Sequence, residues 1–221
     1  MERLEARRLR ALGWSVKEIE RSLGVSRASV STWVRDVQLG PRERERLVAR
    51  VRLGPVVAGE RKAAAARERR ASFQADGRRL ARERDASYAA GCMLYWAEGA
   101  KARNTVKITN SDPEMLAYFL GFLRTHFGVA NERVALTCNL FADHADRQRE
   151  IEDHWLCRLG LDRSSLRKST VNTYSKYSQK KRMNKLPFGT AAVLVYSSEI
   201  VQTIYGSIQE LGGFDRPEWL D

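Results

Sequence analysis

Residues 15–37 read SVKEIERSLGVSRASVSTWVRDV, and this stretch decides the fold of the amino-terminal part. Ser15, with Glu18 three residues on, forms a reciprocal capping box that starts a helix. Ile19 and Leu23 share one face of that helix at i, i+4 spacing. Gly24 stands where a left-handed residue must end it. Ser26 caps a second helix, whose apolar residues recur as Val30, Trp33, Val34 and Val37. The opposite side carries Arg27, Ala28, Ser31, Thr32 and Arg35, a small, polar and cationic surface.

Working outward, residues 2–12 are expected to form a preceding helix, with Leu4, Arg8, Leu9 and Leu12 on one face and Gly13 as its end. Leu39-Gly40-Pro41 breaks the pattern, so residues 1–40 are expected to be an all-α head. Ile19, Leu23, Gly24, Val25, Val30 and Trp33 stand in a spacing that resembles the helix-turn-helix of bacterial and phage DNA-binding proteins, over about residues 3–37. That resemblance makes the second helix a recognition helix. A helix in a major groove needs small residues where its backbone approaches the bases, and donors that reach base edges and phosphates. Ser26, Arg27, Ala28, Ser31, Thr32 and Arg35 supply that mixture.

Composition agrees with a polyanionic partner. The 221 residues carry a formal charge of +12, which favours nucleic acid over an acidic protein. Hydrophobic residues make up 43%, enough for a core, so the chain is not simply a basic disordered tail. No apolar run has the length of a bilayer span, and the charged start MERLEARRLRALG has no signal-peptide core. A cytoplasmic, nucleoid-associated protein without a membrane partner is expected. Cys92, Cys138 and Cys157 are odd in number and far apart, as suits buried thiols in a reducing compartment. With His144 and His154 they lack the tight ligand pairs of a zinc site, so neither metal nor cofactor is expected.

Residues 41–86 are rich in alanine, arginine and glutamate, all good helix formers, with few large apolar residues. They read as an Arg-rich helical connector, interrupted at Gly54-Pro55 and able to bend at Gly77, whose arginines could follow a phosphate backbone.

From residue 87 the pattern becomes α+β. The run GCMLYWAEG ends an apolar helix. An alternating strand follows over residues 105–109, with Val106 and Ile108 on one side and Lys107 and Thr109 on the other. Asp112-Pro113 starts a helix to Phe127. Strands are expected over 133–140, near 168–174 and near 190–196, and helices over about 146–159 and 198–211. The loop 175–185 is very basic, with Lys176, Lys180, Lys181, Arg182 and Lys185.

The run Gly91 to Gly99 resembles a diverged form of the LAGLIDADG helix of homing endonucleases, with Glu98 at the family's metal-binding acid and Gly99 at its last glycine. The resemblance spans about residues 87–211. It implies a LAGLIDADG-like DNA-binding domain over 87–221, with a polar strand face (Lys101, Arg103, Lys107 and Thr109) on the duplex. Lys176, Lys180, Lys181, Arg182 and Lys185 would grip phosphates. Met93 and Trp96 are bulky where the family favours small residues, and one copy of the motif is present. Paired helices would be pushed apart and their acids separated, whereas two-metal chemistry wants ions about 4 Å apart. The expectation is therefore a non-enzymatic, sequence-specific regulator of double-stranded DNA, a repressor, reading a long asymmetric site with two unlike modules. A single chain per site is expected, with a homodimer as the alternative state. The competing function is a metal-dependent endonuclease using Glu98. The whole layout also resembles regulators of actinobacteria and their temperate phages, immunity repressors among them.

Overall fold

Capping chemistry sets where the second and third helices begin. In the computed structural model, which describes residues 1–172 and 186–221, the chain divides into two compact units, Met1–Ala65 and Ala66–Asp221. The first holds α1 (Glu2–Ala11), α2 (Val16–Leu23), α3 (Arg27–Trp33) and the start of α4 (Pro41–Glu83). Ser15 Oγ accepts from the Glu18 amide at 3.2 Å, while Glu18 accepts from the Ser15 amide at 2.8 Å. Gly24 then turns at φ 66°, a left-handed conformation that a side chain would strain.

Ala6, Leu9, Ile19, Val30 and Val34 are the buried core of this unit, with Trp14, Val16, Leu23, Val25, Trp33 and Val37 around it. The expected face of α1 is corrected: Leu4 and Leu12 are 75% and 57% exposed. Small Ala6 lies against the core, and Arg7 is turned toward the end of α3. Its guanidinium donates to the Trp33 carbonyl at 2.8 Å and to both Asp36 carboxylate oxygens at 2.5 and 2.9 Å. That polar clasp fixes the rotation of α1, which hydrophobic spacing alone did not reveal.

The second unit contains the rest of α4, then α5 (Ala86–Glu98), β1 (Val106–Asn110), α6 (Pro113–Phe127), β2 (Val134–Phe141) and α7 (Gln148–Leu159). Next come β3 (Thr170–Asn172), β4 (Thr190–Val195) and α8 (Ser198–Gly212). Among the described residues the sheet order is β1-β4-β2-β3, antiparallel except for the β2–β3 pair. Asp112 accepts from the amides of Glu114 and Met115, so α6 starts where its cap and proline demand. The core gathers Val106, Ile108, Leu136, Val193 and Val195 of the sheet with Phe119, Trp155 and Tyr205 of the helices.

Two expectations about residues 41–86 change. The helix is continuous through Pro55 and Gly77. Its second part is not a free connector, because residues 66–83 belong to the second unit and pack on α8. Gly77 is a contact point and not a bend: a Cβ there would overlap the Thr203 carbonyl. Buried Gln74 donates to Gln202 at 2.7 Å and accepts from Gln209 at 2.9 Å. Ser207 Oγ donates to the Gly77 carbonyl at 2.8 Å. The buried amides are thus satisfied across the helix pair, which burial requires. Cys92 and Cys138 are buried, as expected; Cys157 is exposed, because α7 turns Ile151, Trp155, Leu156 and Leu159 inward instead. Among the described residues no helix is long and apolar enough to cross a membrane.

Candidate nucleic-acid interface

The short turn between α2 and α3 buries Ile19 and Val30 and leaves the opposite side of α3 in solvent. Ser26, Arg27, Ala28, Ser31, Thr32 and Arg35 are all exposed, so the six residues of this segment that were expected to contact DNA share one open surface. Ser26 Oγ is occupied as the cap, accepting from the Ser29 amide at 3.2 Å. Thr32 Oγ1 donates to the Ala28 carbonyl at 3.0 Å, which leaves its lone pairs facing outward as acceptors. Among the described residues neither Arg27 nor Arg35 has an ion-pair or hydrogen-bond partner for its guanidinium. Two unpaired guanidinium groups beside Ala28 suit bidentate recognition of base edges or phosphates.

In the second unit the register puts two kinds of side chain on opposite faces of the sheet. Val106, Ile108, Leu136, Cys138, Val193 and Val195 belong to the core. On the other face Lys107 pairs across with Leu194, and Leu194 with Ala135; Thr109 pairs with Ala192, and Ala192 with Thr137. Thr190, Asn139 and Thr170 follow in register, with the Asn139 amide donating to Thr190 Oγ1 at 3.2 Å. Asn139, Thr170 and Asn172 are exposed; Lys107, Thr109 and Thr137 are half-buried. Ala135 and Ala192 in the middle of this face are buried, so its open part is the end formed by Asn139, Thr170 and Asn172, whose amides and hydroxyl can hydrogen-bond with a duplex.

Lys107 and Thr109 were expected on this face, whereas Thr137, Asn139, Thr170, Asn172 and Thr190 were not singled out. The alternation of residues 133–140 carried the signal for Ala135, Thr137 and Asn139. The β1-β4-β2-β3 order, which joins them to Lys107 and Thr109, has no local signature.

Lys101 has another task. Its ammonium donates to the carbonyls of Gly99, Trp96 and Tyr95 at 2.7, 2.8 and 3.2 Å, closing the end of α5. All three ammonium protons are used, so it is a helix cap and not a free phosphate ligand. Burial first, and the Arg216 guanidinium second, push its pKa below the ordinary lysine value, while Glu98 opposes them. Arg103 is exposed, and its side chain has no partner among the described residues. Lys176, Lys180, Lys181, Arg182 and Lys185 lie outside the described residues.

Glu98 ends α5, is exposed, and accepts from Asn110 Nδ2 at 3.3 Å. Among the described residues no group of three or more His, Cys, Asp or Glu side chains is placed to hold a metal ion. Gly91 faces the Phe122 ring of α6, which a Cβ would overlap, so the small residue of this helix serves packing inside its own unit.

The candidate surfaces are therefore two, the outer side of α3 and the exposed end of the polar sheet face, each carried by its own unit. Comparison of the chain with protein-family models, curated proteins and solved structures finds no match.

Proposed function

We propose that the chain is a sequence-specific regulator of double-stranded DNA, a repressor without nuclease chemistry. The observation that carries this reading is the exposed side of α3, with Arg27, Ala28, Ser31, Thr32 and Arg35 in solvent behind a capped glycine turn. In the proposal this side enters a major groove, where Arg27 and Arg35 reach base edges or flanking phosphates. The polar sheet face, with Lys107 and Thr109, rests on a separate stretch of duplex. Joining two weak modules on one chain raises the affinity of both through their effective concentration, without any new contact. Two unlike modules also favour a long, asymmetric operator bound by one chain. The formal charge of +12 supports the same partner.

The test is selection of a binding site from random duplexes, followed by mass measurement of the complex. A long site without a two-fold axis, holding one chain, is the expected result. A short palindrome holding two chains contradicts the two-module reading. Incubating the selected duplex with Mg²⁺ or Mn²⁺ tests the nuclease alternative: site-specific cutting that Glu98→Ala abolishes would replace the repressor reading.

A further inference from the structure

A further concentration of positive charge lies in the second unit. Within the second unit, Ala66, Arg69, Arg70, Phe73, Asn104 and Ser198 line a notch of about 160 Å³. At ~30 Å³ per water it has room for an anion and part of its hydration shell. Arg70 sits in its wall, half-buried, with Nε donating to the Leu220 carbonyl at 2.6 Å. Arg103, next in sequence to Asn104, is close enough for its charge to act on Arg70, as does Arg67. Burial and these two like charges push the Arg70 pKa below its ordinary value.

The cluster is not neutralised from inside. Asp221 pairs with Arg67. Among the described residues Arg69 and Arg103 have no acidic partner, and Arg70 makes only its carbonyl contact. Asn104 and Ser198 are hydrogen-bonded to each other at 2.9 Å, which fixes the polar wall opposite the arginines. Arg69 and Arg70 line this polar cavity and the charge of Arg103 acts on Arg70, so gathering them costs Coulomb energy unless an anion joins them. The planar donor forks of arginine match the oxygens of a phosphate.

We propose that this notch seats one backbone phosphate of a DNA duplex, gripped by Arg69, Arg70 and Arg103. The inference rests on the DNA-binding reading above and deepens it by giving the second unit a phosphate anchor distinct from its sheet face. The shared chemistry is a phosphate oxyanion, so the experiment has a duplex arm and an inorganic phosphate arm.

The full chain and an Arg69→Ala/Arg103→Ala double variant are titrated with duplex across a range of salt concentrations. Both side chains are exposed and unpaired, so the thermal midpoint should not move; Arg70 is left intact because it holds Leu220. Losing one phosphate contact lowers the slope of log K against log salt by about 0.9. Arg149→Ala, an exposed change on α7, should leave the slope as it was. An unchanged slope in the double variant, with duplex binding intact, overturns the notch while the DNA reading stands. If the wild type binds no duplex, the DNA reading falls instead, and inorganic phosphate decides the notch. Saturable shifts of the Asn104 and Ser198 amide signals that vanish in the double variant would retain a phosphate seat. Their absence removes it.

Discussion

Gly206 of α8 has no room for a side chain: a Cβ there would run into the carbonyl oxygen of Gln74 in the facing α4. Gly77 makes the reciprocal approach to Thr203, so the two helices meet backbone to backbone. The Gln74–Gln202 and Gln74–Gln209 hydrogen bonds depend on that distance. Gly206→Ala forces the helices apart, and overpacking of this kind costs about 1–3 kcal/mol. The expected readout is a lower urea midpoint for the second unit. An unchanged midpoint would show that residues 66–83 dock more loosely than described.

Gly121 is the opposite case. It lies inside α6, and beyond its own helix nothing stands within 4 Å of where a Cβ would sit. Glycine in a helix interior is about 0.8–1 kcal/mol less favourable than alanine. Gly121→Ala is therefore expected to raise the thermal midpoint. A fall would reveal a neighbour that the folded chain does not show.

Lys101 separates a structural cation from a DNA-binding one. Lys101→Met removes three hydrogen bonds from the end of α5 and is expected to cost about 1 kcal/mol of stability. The salt dependence of duplex binding should stay as in the wild type. A slope reduced by about one would restore Lys101 as a phosphate contact.

These cases show what could be read along the chain and what could not. The capping box at Ser15 and Glu18, the glycine at 24 and the Asp112-Pro113 start are local signals, and α2, α3 and α6 begin where those signals lie. All six expected contact residues on and beside α3 are exposed because amphipathic spacing alone decides their side. The rotation of α1 depends on Arg7 meeting Asp36, 29 residues away, and no periodicity encodes it. The docking of residues 66–83 depends on glycines and glutamines that look polar and flexible until α8 lies against them. The use of Lys101 as a cap was hidden for a related reason: a lysine just after a helix reads equally as a surface charge.

The Arg7–Asp36 clasp also predicts a pH dependence. The hydrogen bond from Arg7, first among several causes, lowers the Asp36 pKa from 3.8 to about 2. A carboxylate with a depressed folded-state pKa stabilises the fold above its unfolded value and ceases to do so as pH falls through the folded one. Stability from this pair is thus present above about pH 4 and gone by about pH 2. The stability gap between wild type and Asp36→Asn, followed by amide signals of residues 1–65, should be widest above pH 4 and close toward pH 2. A gap independent of pH would remove the clasp from the account.

The central claim is that the outer side of α3 reads base sequence, and one measurement addresses it directly. Wild type and Arg27→Ala are titrated against the selected duplex and a panel of its single-base-pair variants. The account predicts a loss of about 1–3 kcal/mol on the selected site, with discrimination relaxed at one base-pair position and kept at the others. An equal loss on every duplex, or a wild type that does not distinguish the panel at all, contradicts it.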